Sequence, residues 1–188
     1  GPIWLTIPVK RKLNTLINEV VIADNQSKWI KKHINSITQN YSKTPYFEQV
    51  TKTLFDIIKK NRENFLSLNL EIDKYFFSLA KFDGDVVLSS DLNLKCKNSD
   101  RILSICKELE AKTYMSGIGG KDYLNLDKFR KSNIDVQFQN FSHFEYSQQY
   151  MQIGFSPKLS ALDFFCNYGL FSRAKEKILS GSSWKNIV

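Results

Sequence analysis

Apolar residues recur at helical spacing along much of the first half of the chain. Between residues 28 and 41, Trp29, His33 and Ile37 fall at i, i+4 and i+8, which places them on one stripe of an amphipathic helix. Residues 46–60 and 63–82 repeat this periodicity, so we expect a helical segment over about 28–82. His33 should face the core or the floor of a cleft, and a hydrogen-bonded core histidine is the more ordinary outcome.

The pattern after residue 83 changes to short apolar runs separated by helices. Three runs predict strands, at residues 86–88, 113–116 and 136–141. Helical patterns at residues 99–111 and 126–132 lie between them. Because strands that alternate with helices form βαβ units, we expect a parallel sheet with right-handed crossovers.

The two ends of the chain predict further elements. Residues 3–9 and 20–23 have the composition of strands. Pro157 precedes a C-terminal helix that we expect over about 158–179, with a break at Gly169. The last residues, 180–188, are expected to fray.

These elements together predict a fold class. They indicate an α/β protein with a three-layer Rossmann-like fold, in which a mainly parallel sheet carries an inserted helical segment. A chain of 188 residues is long enough to bury one core. We therefore expect a single domain over residues 1–188, with a βαβ core over about 83–145 between the helical segment and the C-terminal helix.

A glycine-rich stretch, TYMSGIGGKDY at residues 113–123, is the first candidate for a ligand-binding loop. Glycines let the backbone approach a ligand closely, and ligands of open parallel sheets lie beyond the carboxyl ends of the strands. A helix that began near Asp122 would also favour an anion. The substrate-binding candidates at this edge are Ser89, Ser90, Ser116, Gly117, Gly119, Gly120, Lys121 and Tyr123, and His143 follows the third strand.

The glycine pattern has an ordinary structural alternative. GxGGK lacks both the glycine spacing of a Walker A motif and the Ser or Thr that follows its lysine. The same residues are also compatible with a tight strand-to-helix turn in which Lys121 is solvated.

Composition narrows the partners and the compartment. The net charge of +8 favours an anionic partner such as a nucleotide, a nucleic acid or an anionic membrane surface, although dispersed lysines also suit a plain solvated surface. Cys96, Cys106 and Cys166 show neither metal-ligand spacing nor an even disulfide count. They predict no metal site and a reducing compartment, which places the protein in the cytoplasm. No apolar run is long enough to span a bilayer.

Motifs along nearly the whole chain form a recognisable set. They are Trp4 to Lys10, Trp29 with Lys32-His33, Asn40-Tyr41, Pro45 to Phe47, Ser89-Ser90, Arg101 to Leu103 with Cys106, Thr113 to Gly117, Gly120 to Tyr123, Phe138-Gln139, His143, Phe155, Pro157, Leu159-Ser160, Asp163, Asn167 and Gly169. In these motifs the chain resembles the WbqC-like proteins of bacterial surface-polysaccharide gene clusters. Members of that family usually begin with an earlier strand and with His-Gln-Pro and Phe-Pro-Trp motifs. The chain opens with Gly1-Pro2 and no Met, which fits either a cloning scar or a missing N-terminus. Because the opening motifs of the family are absent, we expect a missing N-terminal segment that carries part of any active site.

The resemblance implies a role in making lipopolysaccharide O-antigen or a related glycan. It implies transfer of an aminoacyl group, such as glycyl, or of another acyl group to the amine of a nucleotide-linked amino sugar. The donor would be an amino acid activated by ATP, an aminoacyl-tRNA, which suits the positive charge, or a thioester. His143, His33 and Asp163 are the catalytic candidates. We expect His143 to be the base that deprotonates the acceptor amine, because histidine titrates near neutral pH.

Two other functions fit the same sequence. One is a non-catalytic module that binds a nucleotide-sugar or a protein of the same pathway, since the chain has only two histidines and no clear nucleophile–base pair. The other is nucleotidyl transfer, because the fold class suits phosphate chemistry. The sequence predicts no oligomeric state.

Overall fold

The chain combines helices and strands in two compact units. The computed structural model describes residues 2–10, 12–23, 28–60, 63–141, 143–169 and 182–186, the last of these as backbone only. The first unit, called the helical unit, contains Gly1–Asp83 and Glu145–Lys175, and the second, called the sheet unit, contains Gly84–Phe144 and Glu176–Val188. The mixed α/β class is confirmed. In the part of the chain that the structure describes, no helix has the length and apolar character to cross a membrane.

Among the described residues, four helices form the framework of the helical unit. They are α1 (Lys28–Tyr41), α2 (Phe47–Lys60), α3 (Phe65–Leu79) and α6 (Ala161–Tyr168). The first three lie within a few residues of the predicted ranges. Their apolar stripes pack against one another in a core that includes Trp29, Ile37, Val50, Leu68 and Phe165.

Helix α6 ends at Gly169 for a local steric reason. Gly169 has φ of +93°, a conformation that side chains disfavour. A Cβ at this position would also lie 2.6 Å from the ring of Tyr46. The predicted break at Gly169 is confirmed, and the predicted continuation of the helix falls outside the described residues.

A short hairpin precedes α1 in the same unit. Strand β1 (Val9–Lys10) pairs antiparallel with β2 (Val21–Ile22). The predicted strand over residues 3–9 is therefore wrong except at its last residue, since residues 2–8 have no regular secondary structure. Pro8 marks this boundary, because proline cannot donate to a strand ladder.

The described residues of the sheet unit form a three-stranded sheet. Strand β3 (Thr113–Ser116) pairs parallel with β4 (Asp135–Phe141), and Ser116 lies opposite Phe138 in the register. Helices α4 (Asn98–Glu108) and α5 (Leu126–Lys131) flank β3 in sequence. The core of this unit is Leu103, Cys106, Leu124, Phe129, Ile134, Val136 and Phe138. The predicted parallel pairing of these two strands is confirmed.

Two predictions about this sheet are wrong. Residues 86–88 form no strand, and Val86 and Val87 are 45% and 47% exposed. The C-terminal residues instead supply β5 (Ser182–Asn186), which pairs antiparallel with β4. The sheet therefore has one parallel and one antiparallel pairing and is not mainly parallel. A run of three apolar residues is too short to specify a strand by pattern alone.

Candidate functional site

The predicted site residues are distributed between the two units. Two catalytic candidates, His33 and Asp163, belong to the helical unit. The third, His143, belongs to the sheet unit with all the predicted substrate-binding residues: Ser89, Ser90, Ser116, Gly117, Gly119, Gly120, Lys121 and Tyr123.

Asp163 is a buried carboxylate that is surrounded by hydrogen-bond donors. It lies in the first turn of α6, on the buried face of that helix. Its Oδ2 accepts hydrogen bonds from the Tyr146 hydroxyl at 2.7 Å and from Gln148 Nε2 at 2.9 Å. Its Oδ1 accepts from Asn167 Nδ2 at 3.2 Å. These donors replace the water that the carboxylate loses on burial.

Gln148 connects this carboxylate to the loop that precedes α6. Its Nε2 donates both to Asp163 and to the backbone oxygen of Ser156, at 3.0 Å. Its Oε1 accepts from the backbone N–H of Ser156 at 2.8 Å. One amide side chain therefore closes the loop between residues 148 and 156 and fastens it to α6.

Three further groups around Asp163 are held in their protonated forms. Burial raises the pKa of Tyr41 and of Tyr146, and the nearby charge of Asp163 together with hydrogen bonding to it raises both further. Burial also raises the pKa of the Cys166 thiol to about 12, with a smaller contribution from Asp163. At neutral pH the two phenols are donors, and Cys166 is not a nucleophile.

His33 is buried on α1 and is engaged by the backbone. Its Nε2 lies 3.2 Å from the carbonyl oxygen of Thr6, which can only accept, so Nε2 carries the proton. The Trp29 ring packs edge-on against the imidazole with ring centres 5.3 Å apart. Desolvation lowers the pKa of His33, while the hydrogen bond to Thr6 opposes that change. The stripe pattern predicts this burial, and the ring is neutral at pH 7.

One polar atom beside His33 is buried without a hydrogen bond. The indole Nε1 of Trp29 has no partner among the described residues. A buried N–H that finds no acceptor costs about 1–3 kcal/mol. The indole N–H of Trp29 thus lacks an acceptor, whereas the polar groups around Asp163 form hydrogen bonds with one another.

His33 and Asp163 do not form a direct pair. Tyr41, which hydrogen-bonds to Asp163, lies eight residues after His33 on α1. Eight residues correspond to roughly 12 Å along a helix axis. The two catalytic candidates of the helical unit therefore have separate surroundings.

The glycine-rich stretch forms a tight turn in the sheet unit. A 3₁₀ helix, Ile118–Asp122, follows β3. Helix α5 begins at Leu126, as predicted, so no helix begins at Asp122. Gly120 is required by packing, because a Cβ there would clash with Ser116 Oγ. Gly117 and Gly119 have open space around the Cβ position and no positive φ. Of these three glycines, the packing of the loop therefore requires only Gly120.

Lys121 and His143 contact side chains that project from opposite faces of β4. Lys121 Nζ lies 5.5 Å from the centre of the Phe138 ring. The exposed imidazole of His143 packs edge-on against Phe141, with ring centres 5.0 Å apart. Phe138 and Phe141 are three residues apart, which is about 10 Å along a strand and places them on opposite faces. Lys121 therefore follows the carboxyl end of β3 and His143 that of β4, and the structure does not bring them onto one face of the sheet.

The serine pair at residues 89 and 90 lies in an exposed turn and not after a strand. Arg101 holds this turn, because its guanidinium donates to the backbone oxygens of Leu94, at 2.7 Å, and of Ser89, at 3.0 Å. Ser90 Oγ donates to the Asp91 carboxylate at 3.2 Å. Tyr123 is exposed, whereas Ser116 is buried and donates to the Gly117 carbonyl.

A shallow depression of ≈ 460 Å³ follows the glycine-rich stretch. Residues 122–127 line it, and they include the carboxylates of Asp122 and Asp127. Two carboxylates are unsuited to an anionic group. Among the described residues there is no cluster of three or more His, Cys, Asp or Glu side chains that could hold a metal ion.

Comparison with known proteins identifies the family. The model of the WbqC-like protein family matches residues 1–174 of the chain. The chain belongs to the WbqC-like protein family. It is also 26% identical over 171 residues to the uncharacterized protein Rv1507c of Mycobacterium tuberculosis, a match that covers 88% of this chain and 72% of that protein. No solved structure matches the chain.

Several residues that carry the WbqC-like resemblance meet along α6. Tyr41, Asp163 and Asn167 belong to the hydrogen-bonded cluster, and Tyr46 packs against Gly169. Sequence reasoning missed Tyr146 and Gln148, the other donors to Asp163. The signal that could have found them is an aspartate on the apolar face of a helix, which requires donors from elsewhere in the chain. In this WbqC-like protein the cluster is a stabilising centre of the helical unit.

Proposed function

We propose that this WbqC-like protein takes part in the biosynthesis of a bacterial surface glycan such as O-antigen. In this proposal it transfers an aminoacyl group, such as glycyl, or another acyl group to the amine of a nucleotide-linked amino sugar, and it does so in the cytoplasm. The family match over residues 1–174 is the observation that carries the proposal. The parallel β3/β4 pair with a helix between its strands supports a Rossmann-like arrangement as part of it.

His143 is the proposed base. The amine nitrogen attacks the acyl carbonyl carbon, the bond from that carbon to the donor oxygen or sulfur breaks, and the amine proton passes to the imidazole. Exposure of His143 leaves its ring open to a substrate, whereas the Nε2 proton of buried His33 is committed to Thr6. We assign His33 and Asp163 to holding the helical unit in shape.

Lys121 is the proposed contact for an anionic part of the substrate. It follows β3, and His143 follows β4, so both groups stand at the carboxyl edge of a parallel pair. Because they contact opposite faces of β4, one substrate reaches both groups only by passing the end of that strand. An extended molecule, in which a diphosphate separates the nucleoside from the amino sugar, suits such a path.

Mass spectrometry tests the reaction directly. Nucleotide-linked amino sugars are incubated with the protein and, in separate reactions, with amino acid plus ATP, aminoacyl-tRNA or an acyl thioester. The expected product is heavier than the acceptor by one acyl group, and His143→Gln should lower turnover about 100-fold with little change in melting temperature. Lys121→Ala should weaken acceptor binding by about 1–3 kcal/mol in calorimetry. Normal turnover of His143→Gln would remove the base assignment.

A non-catalytic module that binds a nucleotide-sugar or a pathway protein is the second candidate. The observation that favours it is the engagement of His33 and Asp163 in hydrogen bonds within the protein. Nucleotide-sugar binding that depends on Lys121, with no acyl product from any donor, would select this function.

A further inference from the structure

Helices α1 and α2 form an antiparallel pair in the helical unit. Only residues 42–46 connect them, and their apolar stripes share one core. At the other end of the pair, the backbone N–H of Ile22, before α1, donates to the carbonyl oxygen of Glu63, after α2, at 2.7 Å. Val21 and Asn64 also form an isolated β-bridge. The start of α1 and the end of α2 therefore lie at the same end of the pair.

Exposed lysines are concentrated at this end of the pair, which we call the lysine end. They are Lys28, Lys31 and Lys32 in α1 and Lys59 and Lys60 in α2. The three lysines of α1 are spaced at i, i+3 and i+4, which places them on one face of the helix. Helix α1 contains no carboxylate, and the carboxylates nearest in sequence to the end of α2 are Asp56 and Glu63. Positive charge therefore exceeds negative charge at the lysine end.

The lysines of α1 oppose the dipole of their own helix. The first turn of a helix carries partial positive charge, so lysines there destabilise it. Helices α2, α4 and α5 follow the favourable pattern, with Glu48, Asp100 and Asp127 in their first turns, whereas α1 has no acidic residue there. Among the described residues, no carboxylate forms an ion pair with the lysines of α1. These lysines therefore do not serve the stability of α1, and an anionic partner would offset their repulsion.

The side chains beside these lysines select among anionic partners. Asn35, Thr38 and Gln39 continue the exposed face of α1, and they offer hydrogen bonds but little apolar surface. Helices that enter a lipid interface combine basic with apolar side chains, so this face does not suit a membrane. A small nucleotide is bound in a concave pocket, whereas these side chains stand on the outside of a helix. An RNA presents successive phosphates to lysines, and 2′-hydroxyls and base edges to amides.

We propose that the lysine end, together with the polar face of α1, binds the phosphate backbone of an RNA, and that this RNA is the tRNA of an aminoacyl donor. The choice of a tRNA rests on the proposed function, in which an aminoacyl group is transferred. The binding itself rests on the charge and geometry of α1 and α2. Three to five phosphate contacts would give a slope of about −2 to −4.5 for the logarithm of the affinity against the logarithm of the salt concentration.

Fluorescence anisotropy with labelled, deacylated tRNA tests the binding without any transfer reaction. The protein is titrated into the tRNA at salt concentrations between roughly 50 and 200 mM, and the expected result is binding that weakens steeply with salt. The triple variant Lys28→Gln/Lys31→Gln/Lys32→Gln should lower the affinity about tenfold or more and reduce the salt slope by about 2–3. Lys59→Gln/Lys60→Gln should lower the affinity about fivefold and reduce the slope by about 1–2.

A matched control variant separates this site from the net charge of the protein. Lys43→Gln/Lys52→Gln/Lys74→Gln removes three exposed lysines of the same unit that lie outside the lysine end, and it should leave the affinity within about threefold of wild type. Circular dichroism melts should show that the α1 variant is folded and at least as stable as wild type, because it removes charges that oppose the helix dipole.

Three results would overturn the proposal. They are no binding of tRNA by the wild type, equal losses in the two triple variants, and displacement of the tRNA by polyglutamate at equal charge concentration. Binding to vesicles that contain phosphatidylglycerol, without binding to tRNA, would instead assign the lysine end to a membrane. Binding of tRNA that depends on the lysine end, with no acyl product from any donor, would support the RNA site and remove the proposed transfer. An acyl product formed with ATP or a thioester, without tRNA binding, would do the reverse.

Discussion

The Tyr146 hydroxyl donates a 2.7 Å hydrogen bond to the buried carboxylate of Asp163. The two residues lie on different elements, since Tyr146 precedes the loop that Gln148 closes and Asp163 lies in the first turn of α6. The Tyr146 ring also packs edge-on against Phe164, with ring centres 5.2 Å apart. A hydrogen bond and an aromatic contact from Tyr146 therefore dock the segment before that loop on α6.

Removing this phenol hydroxyl should destabilise the helical unit. Tyr146→Phe keeps the ring but deletes a donor to a buried carboxylate, so the free energy of unfolding should fall by about 1.5–3 kcal/mol. Urea denaturation followed by circular dichroism measures the change. Tyr150→Phe, which removes the hydroxyl of an exposed tyrosine in the same unit, should change it by less than about 0.5 kcal/mol. Equal effects of the two variants would contradict the role assigned to Asp163.

Lowering the pH should reduce the free energy of unfolding, partly through protonation of His33. Burial lowers the pKa of His33 below 6.5, so the unfolded chain binds this proton more readily than the folded one. The stability that neutral His33 contributes is fully present above the unfolded pKa and is lost as pH falls from about 6.5 toward the lowered folded value. In urea titrations between neutral pH and about pH 5, wild type should lose more stability than His33→Gln. Parallel losses in the two proteins would show that His33 is not the responsible group.

The three cysteines should differ in reactivity. Cys96 is exposed, whereas Cys106 and Cys166 are buried, and burial raises the pKa of both buried thiols. Because the thiolate is the reactive form, brief treatment with iodoacetamide at neutral pH should modify Cys96 alone, and denatured protein should be modified at all three. Peptide mass spectrometry locates the label. Rapid labelling of Cys166 in the native protein would contradict its burial in the core of the helical unit.

Two neighbouring glycines should tolerate alanine differently. In Gly120→Ala the new methyl group meets Ser116 Oγ and lies 3.1 Å from Leu124 Cδ1, so the free energy of unfolding should fall by about 1–3 kcal/mol. Gly119→Ala adds the same group where nothing lies within 4 Å, and the change should stay within about 0.5 kcal/mol of zero. Thermal melts of the two variants provide the comparison. A larger loss of stability in Gly119→Ala than in Gly120→Ala would contradict the packing described for this turn.

The sequence by itself determined the helices of the helical unit and the burial of His33. A 3.6-residue period records which face of a helix meets the core, so α1 and α2 follow from spacing that is local in the chain. The break at Gly169 is local in the same sense, since glycine tolerates the φ that ends α6. The parallel β3/β4 pair was also predictable, because each strand flanks a helix of clear period.

Only the tertiary structure decided which distant groups meet. Residues 86–88 have the composition of a strand but form none, while the polar segment Ser182–Asn186 pairs with β4 as β5. Thr6 reaches His33 from 27 residues away, and the donors to Asp163 come from a separate loop. Strand pairing and buried hydrogen bonds depend on which segments the folded chain brings together, and no local pattern of residues encodes that.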